Sequence, residues 1–437
     1  MSRSLPEWLA YIEVLHDRAW DPGLDRVGEV GRRLNVLHPG KHTILVAGTN
    51  GKGSTCEYIE RLALKQGLTT GKTTSPHLRR FNERIVINGV AVSDEEICQA
   101  FAMIEASRRE ISLSYFEFST LAALVLFQQH KVDLAILEVG LGGRLDAMNI
   151  VNPDISIIMK IALDHQSWLG ESVELIGREK AGIMRRGVPC VLGEEEMPQS
   201  VIDAAEALHT PLFQRGDAFG ITEKSIYFAA LDGTLRLENP PAGQLPLSSF
   251  LAAVQALFCL NYPLTLEDLL DVRKQVSLPG RFQIERQTTT LLFDVAHNPD
   301  AVNRLAAKIR ETFPHGYCHA VFAVYKDKDY QTMIDAMRSV VDVWYLPDIG
   351  EDRALEPLAI RETLNQLGES DVGTYGKVSE ACAAARKNAL AGSDADCAKD
   401  DVVLVFGTFP LVAEALSFFE IPIEGINEHD RSLAVGN

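Results

Sequence analysis

From residue 43 onward, unbroken apolar runs alternate with stretches of helical period. "TILVAG" (43–48), "VDLAILEVG" (132–140) and "DISIIMKIAL" (154–163) are runs of the first kind. Such runs suit parallel strands covered on both faces; a strand open to water on one side alternates instead. Residues 93–109 and 117–130 carry the helical period between them. The alternation predicts a mostly parallel, doubly wound α/β sheet. A β-hairpin is expected next, "SIYFAA", an Asp232-Gly233 turn, then "TLRLEN". Helical segments over 249–261 and 266–276 lead into "SLPGRFQ" (277–283), which reads as a linker. A second alternation follows, with "TLLFDVAHNP", "HAVFAV", "VDVWYL" and "VVLVFG" as strands. The boundary is therefore placed near 284, between a first α/β domain (1–284) and a smaller, Rossmann-like α/β domain (285–437).

Charge narrows the partners. Lys plus Arg total 42 against 60 Asp plus Glu, a formal net charge of -18. Such a chain is a poor general binder of nucleic acid or of an anionic membrane. No apolar run approaches the ~20 residues of a membrane span. The opening "MSRSLPEWLAYIEVL" carries acidic residues and no cleavage site, so no signal peptide is expected. The seven cysteines are dispersed, with no C-x-x-C pair. That usage suits a reducing compartment, and a cytoplasmic location is expected.

The chemistry starts at "LVAGTNGKGST" (45–55). A strand, a glycine-rich loop and a helix beginning near Gly53 form a cradle for phosphates. Glycines let the backbone approach an anion, and the helix N-terminus adds free N–H groups and partial positive charge. Lys52 can reach outer phosphates, and a hydroxyl at the helix start can hold Mg²⁺. The match to the common P-loop is imperfect: the first glycine lies closer to the lysine, and Gly53 separates Lys52 from Ser54. A tight turn is the plain alternative. Glu138 ends the next strong strand, where a magnesium–nucleotide site needs an oxygen ligand. Asp164 and His165 repeat the arrangement one strand on, and Ser75 in "TTSPHL" follows a weaker strand. The plain alternatives there are a capping carboxylate, a structural histidine and a turn serine.

"GTNGKGST", "TSPHL", "LEVGLGGRLDAMN", "ALDH", "REKAGI", "LPGRF" and "DVAHNP" occur in that order. In motif and spacing the chain resembles folylpolyglutamate synthase and dihydrofolate synthase, within the Mur-ligase group of ATP-dependent amide-forming enzymes. The resemblance runs from about residue 5 to about 420. It implies a P-loop-type N-terminal domain in which Gly48, Thr49, Asn50, Gly51, Lys52, Gly53, Ser54 and Thr55 wrap the ATP phosphates. Ser54, Ser75 and Glu138 would hold one Mg²⁺; Glu138 and His165 would hold a second, beside a carbamylated Lys180. Without the resemblance, Lys180 reads as part of a solvated charge run. Arg281 would reach the phosphates, Asp294 the ribose and His297 the γ-phosphate region. Phe116, Asp146 and Ala147 would contact a pterin or folate.

The activity so implied is ATP-dependent addition of L-glutamate to dihydropteroate, to reduced folates, or to both, by a monomer. Four departures from the family pattern stand out. Met148 replaces a hydroxyl residue, Met159-Lys160 replace small polar residues, and the loop 322–329 lacks a usual glycine. Ser249 stands where many members have an adenine-contacting asparagine. Two competitors are a cell-wall Mur ligase and a nucleotide-cycling switch without synthesis. The 47 residues before Gly48 are too few for the nucleotide-recognition domain that the first carries there.

Overall fold

The structure is a computed structural model and describes residues 3–17, 21–230, 233–391 and 401–422. Two compact units divide between Val276 and Ser277, which assigns the "SLPGRFQ" segment to the second unit and sets the division ahead of residue 284.

The first unit is built on an eight-stranded sheet. Its strands are β1 (His42–Ala47), β2 (Thr70–Thr73), β3 (Ile85–Ile87), β4 (Val90–Ala91), β5 (Leu134–Glu138), β6 (Ile155–Ile158), β7 (Cys190–Leu192) and β8 (Leu212–Gln214). They lie in the order β4-β3-β2-β5-β1-β6-β7-β8. All six from β2 to β8 in that order run parallel, while β3 and β4 add an antiparallel edge. The parallel strands are buried along nearly their whole length, as their apolar runs require, except the half-buried edge strand β8. Helix Tyr115–Gln129 covers one face; most of its residues are buried, and the Ser114–Glu117 capping box starts it. Through Phe118 the core joins it to Trp8 and Phe101.

The run 154–163 differs from expectation. Only Ile155–Ile158 is strand. The apolar character continues because Met159 and Ile161 are buried, but the backbone has left the sheet. Lys160 instead turns its carbonyl toward the loop after β1, accepting from Thr49 N at 2.7 Å and from Asn50 N at 3.4 Å.

A small antiparallel sheet follows, of β9 (Phe219–Ile221), β10 (Ser225–Ala230) and β11 (Gly233–Glu238). β10 and β11 are the expected hairpin, in register from Ser225↔Glu238 to Ala230↔Gly233; Asp232 of its turn lies outside the described residues.

The second unit carries β12 (Gln283–Arg286), β13 (Thr290–Asp294), β14 (Cys318–Phe322), β15 (Val343–Pro347), β16 (Val372–Tyr375) and β17 (Val402–Phe406). Their order is β12-β13-β17-β14-β15-β16, parallel apart from β12 at the edge. Four of these strands are the expected ones. β12 and β16 escape the sequence pattern because each is a short, half-buried edge strand without an apolar run. Among the described residues, no helix is long and apolar enough to cross a membrane.

Candidate active site

β1 lies between β5 and β6; the connection after β1 runs to β2 on one side, and that after its neighbour β6 runs to β7 on the other. That is a topological switch point, where the carboxyl ends of parallel strands leave an opening for ligand. Three expected site segments follow these strands: the loop 48–51 after β1, Glu138 at the end of β5, and Asp164-His165 after β6. β2 pairs with β5 and delivers Ser75 to the same edge.

The loop after β1 is held in shape from below. Gly48 has φ +153°, and a Cβ there would come 2.8 Å from Cβ of Met159. Only glycine fits that approach. Gly51 has φ +91° and begins helix Lys52–Lys65. The Thr49 hydroxyl donates to Ala162 O and accepts from Ala162 N, both at 3.1 Å. Lys52 Nζ lies 3.0 Å from Gly48 O and 3.4 Å from Thr49 O, so the ammonium is held over the loop. Gly53 and Ser54 occupy the first turn, where helix N–H groups have no partner within the helix. Thr55 is turned inward: its hydroxyl donates to Gly51 O at 2.9 Å.

Ser249, expected among the nucleotide-binding residues, lies directly against the phosphate loop. It is fully buried in helix Leu247–Cys259, and its hydroxyl donates to Gly51 O at 3.3 Å. The side chain braces the phosphate loop.

Glu138 is buried, and its Oε2 accepts from Ser75 N at 3.1 Å. A Cβ on Gly53 would lie 3.6 Å from the same oxygen, which sets Glu138 beside the start of the loop helix. Asp164 is buried, and its carboxylate accepts from His165 N at 2.8 Å. His165 has φ +51° and a side chain 37% exposed. Among the described residues, no group of three or more His, Cys, Asp or Glu is placed to hold a metal. The donors at the Glu138 end are of another kind, one carboxylate and the hydroxyls of Ser54 and Ser75. Hard oxygen donors in small number fit Mg²⁺, which keeps waters and takes its other ligands from phosphates.

Lys180 lies in helix Val173–Ala181 and is buried. Burial and the nearby Lys52 charge pull its pKa down to about 7, against the opposing pull of Asp164 and Asp146. It is not a residue of a solvated charge run.

Asp146 is buried and accepts from Leu141 N and Met148 N, each at 2.9 Å. Burial pushes its pKa up to about 6 despite these bonds. It shapes the loop after β5 and starts the 3₁₀ turn Ala147–Ile150, in which Ala147 and Met148 are buried. The Phe116 ring lies against Gly140, where an added Cβ would come 2.6 Å from its Cζ.

In the second unit, Asp294 ends β13 and accepts from Phe282 N and Ala296 N, each at 2.8 Å. His297 Nδ1 lies 2.8 Å from Val295 O. Arg281 sits 5.3 Å from the Phe409 ring centroid, and His297 lies 6.1 Å from the same ring. Phe409 thus stands beside both Arg281 and His297, a part that the sequence reading missed. The signal was present: "FGTFP" is another strand end, glycine and helix start.

Comparison with known proteins places this geometry. Residues 46–191 match the Mur ligase middle domain, and 280–409 match the Mur ligase glutamate ligase domain. The dihydrofolate synthase/folylpolyglutamate synthase of Escherichia coli K12 is 39% identical over 418 residues, covering 95% of this chain and 96% of that protein. The chain belongs to the dihydrofolate synthase/folylpolyglutamate synthase family. The structure of E. coli FolC in complex with DHPP and ADP superposes with a TM-score of 0.89 at 38% identity, covering 96% of this chain and 98% of that one. A family member with Mn, AMPPNP and L-glutamate bound gives 0.87 at 39% identity, covering 96% and 99%. This family is one of ATP-dependent Mur-type ligases, with the N-terminal, mostly parallel sheet domain and separate C-terminal domain described above.

Proposed function

We propose that this chain uses ATP to join L-glutamate to dihydropteroate and also to reduced folates, acting as a monomer. The observation that carries the reading is the joint placement of the Gly48–Lys52 loop, Glu138 and Ser75 at the switch point of the sheet. That placement provides a phosphate cradle beside hard oxygen donors.

A carboxylate resists an amine because its leaving group would be oxide. Attack of the acceptor carboxylate on the γ-phosphorus of ATP gives an acyl phosphate and ADP. The glutamate amine then attacks the acyl carbon, phosphate leaves, and the nitrogen loses a proton. Both reactants of the first step are anions, so their approach is the electrostatic problem. Lys52, held over the loop, lowers that repulsion at the phosphates. Ser54, Ser75 and Glu138 hold a divalent cation in this reading, with a second at Glu138 and His165. Such cations supply charge neutralisation and fix the phosphate orientation. Arg281, Asp294 and His297 are assigned to the nucleotide, and Phe116, Asp146 and Ala147 to the pterin end of the acceptor.

Lys180 is assigned a carbamate. Support comes from its burial beside Lys52, where a second ammonium is unfavourable and a neutral amine is favoured. The neutral amine adds CO₂ and releases a proton, which turns a cation into an anion with two oxygens suited to hard metals.

The experiment offers the purified protein ATP, Mg²⁺ and L-glutamate with dihydropteroate or tetrahydrofolate separately. Mass spectrometry should show one glutamyl unit added to each acceptor, with matching ADP. No product from dihydropteroate, where the folate reacts, would remove the dual activity. No glutamate-dependent ADP with either acceptor would remove the ligase reading.

A further inference from the structure

Arg84 is a largely desolvated cation set between a histidine and two aromatic rings. It ends the short turn Phe81–Arg84, and its carbonyl accepts from Thr74 N at 3.2 Å, next to Ser75. Its Nε donates to His77 Nδ1 at 2.7 Å, which fixes one edge of the guanidinium. That bond requires an unprotonated Nδ1, so the imidazole partner is neutral in this geometry. The guanidinium carbon lies 5.7 Å from the Phe81 ring centroid and 5.6 Å from that of Tyr115. Both rings attract a cation without neutralising it.

Among the described residues Arg84 forms no ion pair, although the charges of Glu138 and Glu83 act on it from farther away. The neighbouring Glu83 is occupied elsewhere, accepting from the backbone amides of Leu78, Arg79 and Arg80 at 2.7 to 2.9 Å. Arg84 O is bonded to Thr74 N, and the next amide, Ser75 N, donates to Glu138 Oε2 at 3.1 Å, so the turn that carries Arg84 lies beside the strand end that holds Glu138. Tyr115 is followed by Phe116, whose ring packs on Gly140 in the loop after Glu138. Aromatic surface and guanidinium thus both lie near the Glu138 end of the sheet.

We propose that Arg84 binds the carboxylate of the acceptor, with His77 as the positioning residue that holds the guanidinium edge. The inference rests on the acceptor reading above and deepens it. The acceptor ends in a carboxylate, borne on the aryl ring in dihydropteroate and on the glutamyl tail in a folate, and that anion must come to rest close to Glu138 and the ATP phosphates. A guanidinium with Nε fixed offers its terminal N–H groups to the anion and offsets the repulsion from Glu138.

The test is a double cycle of binding. Dihydropteroate and its primary carboxamide are titrated calorimetrically into the wild type, Arg84→Ala and Arg84→Lys, with MgADP present. Wild type should bind the acid roughly 10- to 100-fold tighter than the amide, the range of a charge-assisted hydrogen bond. Arg84→Ala should bind acid and amide alike, and Arg84→Lys should recover part of the preference. Binding of MgADP itself should be unchanged, which a general structural role for Arg84 would not predict. If Arg84→Ala fails to fold, Arg84→Gln carries the same cycle. Undiminished preference for the acid in the alanine or glutamine variant would overturn the proposal. A wild type that binds neither compound would instead overturn the acceptor reading, and this inference with it.

Discussion

Replacing Lys72 by methionine removes the ammonium that lies between two buried carboxylates. Lys72 projects from β2 toward helix Lys52–Lys65, where it bonds Glu57 and Glu60; all three are buried. Arg61 also pairs with Glu57, at 2.7 Å. Burial alone raises the Glu57 pKa, but the charges and bonds of Lys72 and Arg61 outweigh it and bring the group from 4.5 to about 2. Removing one partner of a buried pair costs about 3–5 kcal/mol, because the remaining charge is stranded. The sign follows from the direction of the shift. A folded-state pKa below the unfolded one stabilises above the unfolded value, and that contribution is lost as pH falls from 4.5 toward 2. In Lys72→Met, Glu57 beside Glu60 protonates at higher pH, so the deficit relative to wild type should shrink on acidification. Hydrogen exchange in urea, read in peptides covering Lys52–Lys65 and Thr70–Thr73, reports the opening free energy of these elements. A deficit below about 1 kcal/mol at pH 7, against the expected 3–5, would refute the reasoning. So would a deficit that does not change between pH 7 and pH 4.

Lys52→Ala should lower turnover at least about a hundredfold while leaving circular dichroism and melting unchanged, since the lost term acts on phosphate charge; retention of a tenth of wild-type turnover would reject that role. Gly48→Ala should destabilise the first unit by about 1–3 kcal/mol through the clash with Met159, and it should raise the KM for ATP; unchanged melting and KM together would show that the loop accommodates a side chain. Lys180→Ala should lose most activity, and short carboxylic acids added to the assay should restore part of it. Mass spectrometry of native protein equilibrated with ¹³C-bicarbonate should show the adduct on wild type, and its absence there would remove the carbamate.

The apolar runs were enough to find the strands that matter most, β1, β5 and β6 in the first unit and β13, β14, β15 and β17 in the second. A buried parallel strand must be apolar on both faces, so its sequence announces it. The phosphate loop was equally legible, because glycines and a lysine between a strand and a helix are local chemistry. Edge strands such as β12 and β16 were not, since a half-buried edge imposes no run. The tertiary structure decided what distant residues do to one another. Residues 159–163 continue an apolar run, yet they support the phosphate loop, because burial against a loop demands the same side chains as burial in a sheet. Ser249 braces Gly51 from 198 positions away. Lys180 reads as one charge among three in sequence, and only the packing of its helix removes it from water and sets it near Lys52. His77 and Arg84 belong to one loop, but what makes Arg84 a candidate anion site is the Tyr115 ring beside it and the engagement of Glu83 elsewhere. Local period and local chemistry are written along the chain, whereas burial, field and the partner of each charge are properties of neighbours that only the fold supplies.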